Sequence, residues 1–191
     1  SHLEKIEASS KRVGELVKQL LTFAQSGNYL MDKADLNKIV QFFFFSNKPK
    51  IRENINFNLF LSDQNPQVIC NRDQILVVFD KLFTNCIEAI SEKGNITIKT
   101  ELVNIEKPLV YSNQKLEVGV YGVISFIDDG CGIREDVKNR FFEPFNTTKE
   151  YGRGLGLPSV YGIIISHNGF INIQSEINKG TTVEVYLQIA K

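Results

Sequence analysis

Neither sign of charge prevails in this chain: Lys plus Arg number 22 and Asp plus Glu also 22, a formal net charge of zero. Without a net field to hold a polyanion, nucleic acid is not an expected partner. Cysteine is scarce as well. Cys70, Cys86 and Cys131 are odd in number, widely spaced, and form neither a CxxC pair nor a ligand cluster with the only histidines, His2 and His167. Reduced thiols in a cytoplasmic setting are therefore expected, and neither a disulfide framework nor a Cys/His metal site is. Long apolar runs are also missing. The greasiest stretch, Ile39 to Phe45, stops at Ser46-Asn47-Lys48-Pro49, well short of the roughly 18 residues that cross a bilayer. No charged-then-apolar leader opens the chain and no methionine starts it. Ser1-His2 reads as a cloning remnant, and the chain as an excised piece that leaves room for a membrane anchor upstream.

What is present is an ordinary globular composition, 42% apolar and 23% charged over 191 residues, enough for one complete domain and at most a fragment of a second. Leu3, Ile6, Ser10, Val13, Val17, Leu20 and Ala24 recur at steps of three and four, a stripe widened by Leu16 and Phe23, before Ser26-Gly27-Asn28. A lone helix cannot bury such a seam, so residues 1–27 read either as a helix of a dimeric bundle, the preferred reading, or as one packed on its own domain. From Met31 the texture changes to alternating α and β. A helix is predicted from Leu36 through the four phenylalanines, a half-buried strand over Ile55 to Leu61 and a short one at Val68 to Cys70. A central helix follows over Arg72 to Ser91, then strands at Ile96–Val103 and Val118–Ile127 around a polar hairpin near Pro108–Lys115. Gly130 to Gly156 is a weakly patterned, glycine-bearing stretch of the kind that carries function. A helix at Leu157–His167 and strands at Phe170–Glu176 and Thr181–Ile189 complete the chain.

Four clusters carry chemistry. Lys81, Asn85 and Glu88 form a polar strip on an otherwise apolar helix, which lines either a cavity or a solvated edge. Phe126-Ile127-Asp128-Asp129-Gly130-Cys131-Gly132 runs a strand into a turn whose carboxylate could accept an adenine amine, although Asp-Gly also ends strands for purely local reasons. Phe141-Phe142-Glu143-Pro144-Phe145-Asn146-Thr147-Thr148-Lys149 sets a cation and hydroxyls after aromatic anchors. Gly152-Arg153-Gly154-Leu155-Gly156-Leu157-Pro158 leads a glycine-rich loop into a helix, an anion-binding arrangement. Neither GxxxxGK[ST], GxGxxG nor HRD occurs.

In this order and spacing the clusters resemble the N, G1, F and G2 boxes of sensor histidine kinases, within the wider ATP-binding family of gyrase, a chaperone and mismatch-repair proteins. The likeness runs over about residues 30 to 191, through Val160-Tyr161-Gly162, His167-Asn168-Gly169, Ser175-Glu176 and Gly180-Thr181-Thr182. Lys11 to Phe23 is similar to the second helix of the family's dimerisation hairpin. The resemblance implies an α+β fold, a two-layer sandwich with a mixed, mostly antiparallel sheet under three helices over 28–191, preceded by the bundle-type helix of 1–27. It implies ATP and Mg²⁺ as cofactors, with Asn85 the metal ligand and catalytic group, and Asp128 the adenine reader. Gly130 and Gly132 would let the base approach, and Thr181 would support it through water. Lys149 and Arg153 would act as catalytic cations in a mobile lid, with Gly154, Leu155 and Gly156 shaping the phosphate loop. Implied partners are ATP or ADP, a phosphoacceptor hairpin, a response-regulator receiver domain and, in the full-length protein, a second copy.

Two departures stand out. The family's Asn four residues before Asn85 is Lys81 here, where hydrolytic relatives carry a water-activating Glu. An ammonium cannot be that base, which argues against a gyrase-like or chaperone-like ATPase unless Glu88 substitutes; Lys81 either touches phosphate or pairs with Glu88 or Asp80. Nothing resembles the box that carries the phosphoacceptor histidine, so the transferred group is expected to land on a histidine outside this chain. The alternative is a non-catalytic nucleotide-binding regulatory module of the same fold.

Overall fold

A computed structural model describes residues 30–111, 114–138 and 156–190. The helix predicted for 1–27, and Lys149, Arg153, Gly154 and Leu155, lie outside the described residues. In chain order the elements are β1 (Asp32–Asp35), α1 (Leu36–Asn47), β2 (Ile55–Phe60), β3 (Gln67–Cys70), α2 (Arg72–Ala89), β4 (Gly94–Ile105), β5 (Leu109–Tyr111), β6 (Gln114–Leu116), β7 (Gly119–Asp128), the single turn α3 (Glu135–Lys138), α4 (Gly156–Ser166), β8 (Phe170–Glu176) and β9 (Gly180–Gln188).

Strand parity builds the sheet. Five strands lie in the order β2-β4-β7-β9-β8; β2 runs parallel to β4 and every other pair is antiparallel. Alternate residues point to opposite faces, so Ile96 and Ile98, Ile124 and Phe126, Ile171 and Ile173, and Val183, Val185 and Leu187 share the face that α1, α2 and α4 cover. The intervening set, Val103, Ile105, Tyr121, Val123, Phe170 and Tyr186, gathers with Leu116 into a smaller core on the other face. The β5–β6 hairpin, expected as a polar insertion, also protects the sheet's edge. The buried Gln114 amide accepts from Ile171 N–H at 3.2 Å and donates to Ile171 C=O at 3.4 Å, imitating the strand that β8 lacks on that side.

Helical period divides the phenylalanine run. Phe43 and Phe44 are buried while Phe42 and Phe45 are exposed, and Phe43 meets Phe79, Phe83 and Phe126 edge-on with centroids 5.5–6.2 Å apart. On α2, Ile75, Val78, Phe79, Leu82, Phe83 and Cys86 form one buried stripe. Asn71 caps its start, accepting the Gln74 N–H at 3.0 Å. Its far end is closed by Arg52, whose guanidinium donates to the carbonyls of Ile87 at 2.9 Å and Ile90 at 2.8 Å, groups a helix leaves without intrahelical partners. Strands β1 and β3 form a separate antiparallel ribbon. It packs so closely on the sheet that a methyl group at Gly122 would lie 2.6 Å from Val68 Cγ1.

Candidate functional site

Parity at the end of β7 gives two adjacent acids different work. Asp128 shares the helix-covered face with Ile124 and Phe126 and is 6% exposed. Its carboxylate accepts the Gly130 N–H at 2.9 Å, and also bonds from the Cys86 thiol and the Thr181 backbone N–H. Burial raises the Asp128 pKa above 3.8, those three hydrogen bonds oppose the rise, and neighbouring Asp129 adds to it. Burial likewise pushes the Cys86 thiol well above 9.0, helped by the charge on Asp128. Asp129 turns the other way and clamps the start of β4, accepting from Asn95 N–H at 2.7 Å and from its side-chain amide at 2.5 Å. Asp128 is thus the acid left facing the helices, and Asp129 is structural.

The loop after β7 docks on α2. Cys131 N–H donates to Ala89 C=O at 3.0 Å, and a methyl group at Gly130 would come within 2.6 Å of both Ala89 Cβ and its carbonyl oxygen. At Gly132 φ is +69°, and an added methyl would sit 2.1 Å from Glu176 O. Protein packing by itself already requires glycine at both positions. The β8–β9 turn completes the enclosure. Ser175 Oγ accepts from Ile133 N–H at 2.8 Å, donates to Gly180 C=O at 2.9 Å and lies 3.0 Å from Thr181 Oγ1. Thr181, 8% exposed, is paired with Asp128 across the β7–β9 register.

Asn85 and Lys81 stand one turn apart on α2, both half-buried. Lys81 Nζ lies 3.8 Å from Asp80 Oδ2, a contact in which both side chains are well exposed; such pairs contribute roughly 0–1 kcal/mol and release easily. The Lys81 stem lies beside the start of α4, where a methyl group at Gly156 would be 3.9 Å from Lys81 Cδ. Pro158 falls in the first turn of that helix, where a missing N–H costs least. Asn85 and Lys81 on α2, Asp128 at the end of β7 with Gly130 and Gly132 in the loop after it, Gly156 at the start of α4 and Thr181 on β9 thus come from four elements and one loop, with Cys86, the residue after Asn85, reaching Asp128. Cys86, Ala89 and Ser175 were not foreseen as site residues. Cys86 read as one more apolar position of the α2 stripe, and only the pairing of α2 with β7 exposes its bond to Asp128.

The family model for histidine kinase-, DNA gyrase B- and HSP90-like ATPases matches residues 70–191. The chain belongs to this family. Among curated relatives of this ATPase-family domain, sensor kinase CckA of Brucella abortus (strain 2308) is 32% identical over 184 residues, 95% of this chain and 20% of the relative. Sporulation kinase E of Bacillus subtilis (strain 168) is 30% identical over 185 residues, 96% of this chain and 23% of the relative. The chain thus spans about a fifth of the length of these two relatives. The solved catalytic domain of histidine kinase ThkA matches with TM-score 0.66 and 28% identity, over 83% of this chain and 95% of that one. ThkA in complex with response regulator protein TrrA matches with TM-score 0.69 and 25% identity, over 99% of this chain and 51% of that one. The domain is an ATP-binding catalytic domain of the histidine-kinase type. Among the described residues no helix is long and apolar enough to cross a membrane.

Proposed function

We propose that this domain binds ATP with magnesium and transfers the γ-phosphoryl group to a histidine on a helical hairpin, from which a receiver-domain aspartate takes it. The observation that carries the reading is the Asp128 carboxylate, buried and pinned by Gly130 and Cys86 beneath the helix that bears Asn85. A buried acceptor held in that way suits the exocyclic amine of adenine, with Thr181 supporting the base through water. Lys81 and the start of α4 at Gly156 present a cation and backbone N–H groups to the phosphates, joined in this proposal by Lys149, Arg153, Gly154 and Leu155. The Asn85 amide oxygen is a hard donor of the type magnesium accepts. Among the described residues no cluster of three or more His, Cys, Asp or Glu gathers to hold a metal, so phosphate oxygens of the nucleotide would complete its shell. Magnesium, when bound, neutralises charge on the β- and γ-phosphates. The residues of the chain then hold the γ-phosphorus in line with the incoming imidazole nitrogen; as that P–N bond forms, the bond to the bridging oxygen breaks and ADP leaves with the electron pair.

The receiver partner rests on the family, in which ThkA is complexed with a response regulator. A homodimer is proposed for the full-length protein, from the apolar stripe of residues 3–24. The test mixes this domain with a separate hairpin bearing the acceptor histidine and γ-labelled ATP. Acid-labile label on the hairpin is expected. A hairpin that docks yet stays unlabelled overturns phosphoryl transfer and leaves the regulatory module, which Lys81 beside Gly156 favours because an ammonium there would grip phosphate but cannot act as a base.

A further inference from the structure

His167 is buried to 4% exposure, and both of its ring nitrogens are engaged. Nδ1 lies 2.7 Å from Ile163 C=O, and Nε2 accepts the Asn71 backbone N–H at 3.0 Å. Those two contacts define a neutral ring with its proton on Nδ1. The second bond spans 96 residues and joins the C-terminal end of α4 to the residue that caps α2. At the opposite end of α4, and midway along α2, Lys81 Cδ lies beside Gly156, the first residue of α4. The helices therefore run antiparallel. At 1.5 Å per residue, the stretch from Asn71 to Lys81 and that from His167 back to Gly156 are matched at about 15 and 16.5 Å. A slide of either helix along the other would carry Lys81 away from the start of α4 and shift Asn85, one turn further along α2, by the same amount.

We infer that the His167–Asn71 hydrogen bond is a register pin: it fixes the axial offset of α2 against α4 and so places Lys81 beside the N-terminus of α4 and sets the height of Asn85 one turn further on, which makes His167 a positioning residue for nucleotide. The consequence for nucleotide rests on the function proposed above, whereas the offset itself does not. Asn71 adds a further tie, since its side-chain amide donates to Leu30 C=O at 3.2 Å while its oxygen caps α2. Leu30, just ahead of β1, is thereby fastened at the same point.

Three proteins test the pin: the parent, His167→Gln, whose longer amide can still accept from Asn71 N–H, and His167→Phe, which keeps the bulk and removes both nitrogens. Nuclear Overhauser contact between the Lys81 δ-methylene and the Gly156 α-protons is expected in the parent and H167Q and to be lost in H167F. Calorimetric affinity for a non-hydrolysable ATP analogue should follow, weakened about tenfold or more in H167F and within about threefold of the parent in H167Q. If H167F does not fold, His167→Asn, which keeps an amide near Ile163 but falls short of Asn71, takes its place with the same expectations. A folded variant without the acceptor that keeps both the Lys81–Gly156 contact and the parent's affinity overturns the pin. A parent that binds no nucleotide overturns the proposed function instead, and the Overhauser comparison still decides the pin.

Discussion

His167 and Asp128 are buried at opposite ends of α2 and titrate with opposite sign. Burial lowers the His167 pKa below 6.5, so at pH values just under 6.5 the unfolded chain takes up a proton that the folded chain refuses. The contribution of His167 to stability is therefore present above pH 6.5 and lost as pH falls below it. The thermal midpoint of the parent should drop between about pH 7.5 and 5.5 more steeply than that of H167Q, which cannot titrate there; parallel drops would contradict the neutral ring. Asp128 behaves conversely. With its folded pKa raised above 3.8, its contribution is fullest below pH 3.8 and declines as pH rises through the folded value, which is the stability given up to keep an ionised acceptor indoors. The engagement of His167 also fixes its chemistry: with γ-labelled ATP no acid-labile label should reach it, and label mapped to His167 would contradict the burial described here. Asp128 was legible in the sequence as a strand-end carboxylate matching the family's motif, and parity along Phe126-Ile127-Asp128 accounts for its burial. The task of His167 was not, because its partner lies 96 residues away.

Elements with a strong period, α1, α2, α4, β7, β8 and β9, follow closely from the sequence, since apolar spacing at 3.6 or 2 residues is what burial selects. Strand β1 does not. Asp32-Lys33-Ala34-Asp35 has no apolar alternation and is a strand only because it pairs with β3. The capping of β8 by Gln114 was equally invisible, being a side chain that substitutes for backbone. Two substitutions test how the site's elements are joined. Gly132→Ala must hold a left-handed backbone and meet Glu176 O; the backbone term alone is about 1–2 kcal/mol, so the urea midpoint should fall by at least that equivalent, and an unchanged midpoint would mean the loop docks differently. Arg52→Ala leaves the carbonyls of Ile87 and Ile90 without their charged donor. It should cost about 1–2 kcal/mol and quicken amide exchange in the last turn of α2 more than in its first.

Across the whole molecule, one helix joins the core to the candidate site: α2 buries its apolar stripe, carries the half-buried Asn85 and Lys81, and touches Asp128 through Cys86. Gly130 and Gly132 also join that helix, β7 and the β8–β9 turn, because an added methyl group at either would meet Ala89 or Glu176. Nucleotide binding should therefore depend on both ends of the site. Asn85→Ala should make affinity for ATP nearly insensitive to magnesium, whereas a magnesium titration identical to the parent's would remove Asn85 from the metal. The central claim, that Asp128 reads the base, is tested most directly by calorimetric titration of a non-hydrolysable ATP analogue into the parent and Asp128→Asn under the same conditions. Loss of a buried hydrogen bond of about 1–3 kcal/mol should weaken binding roughly five- to 150-fold; equal affinity in the two proteins would contradict the assignment.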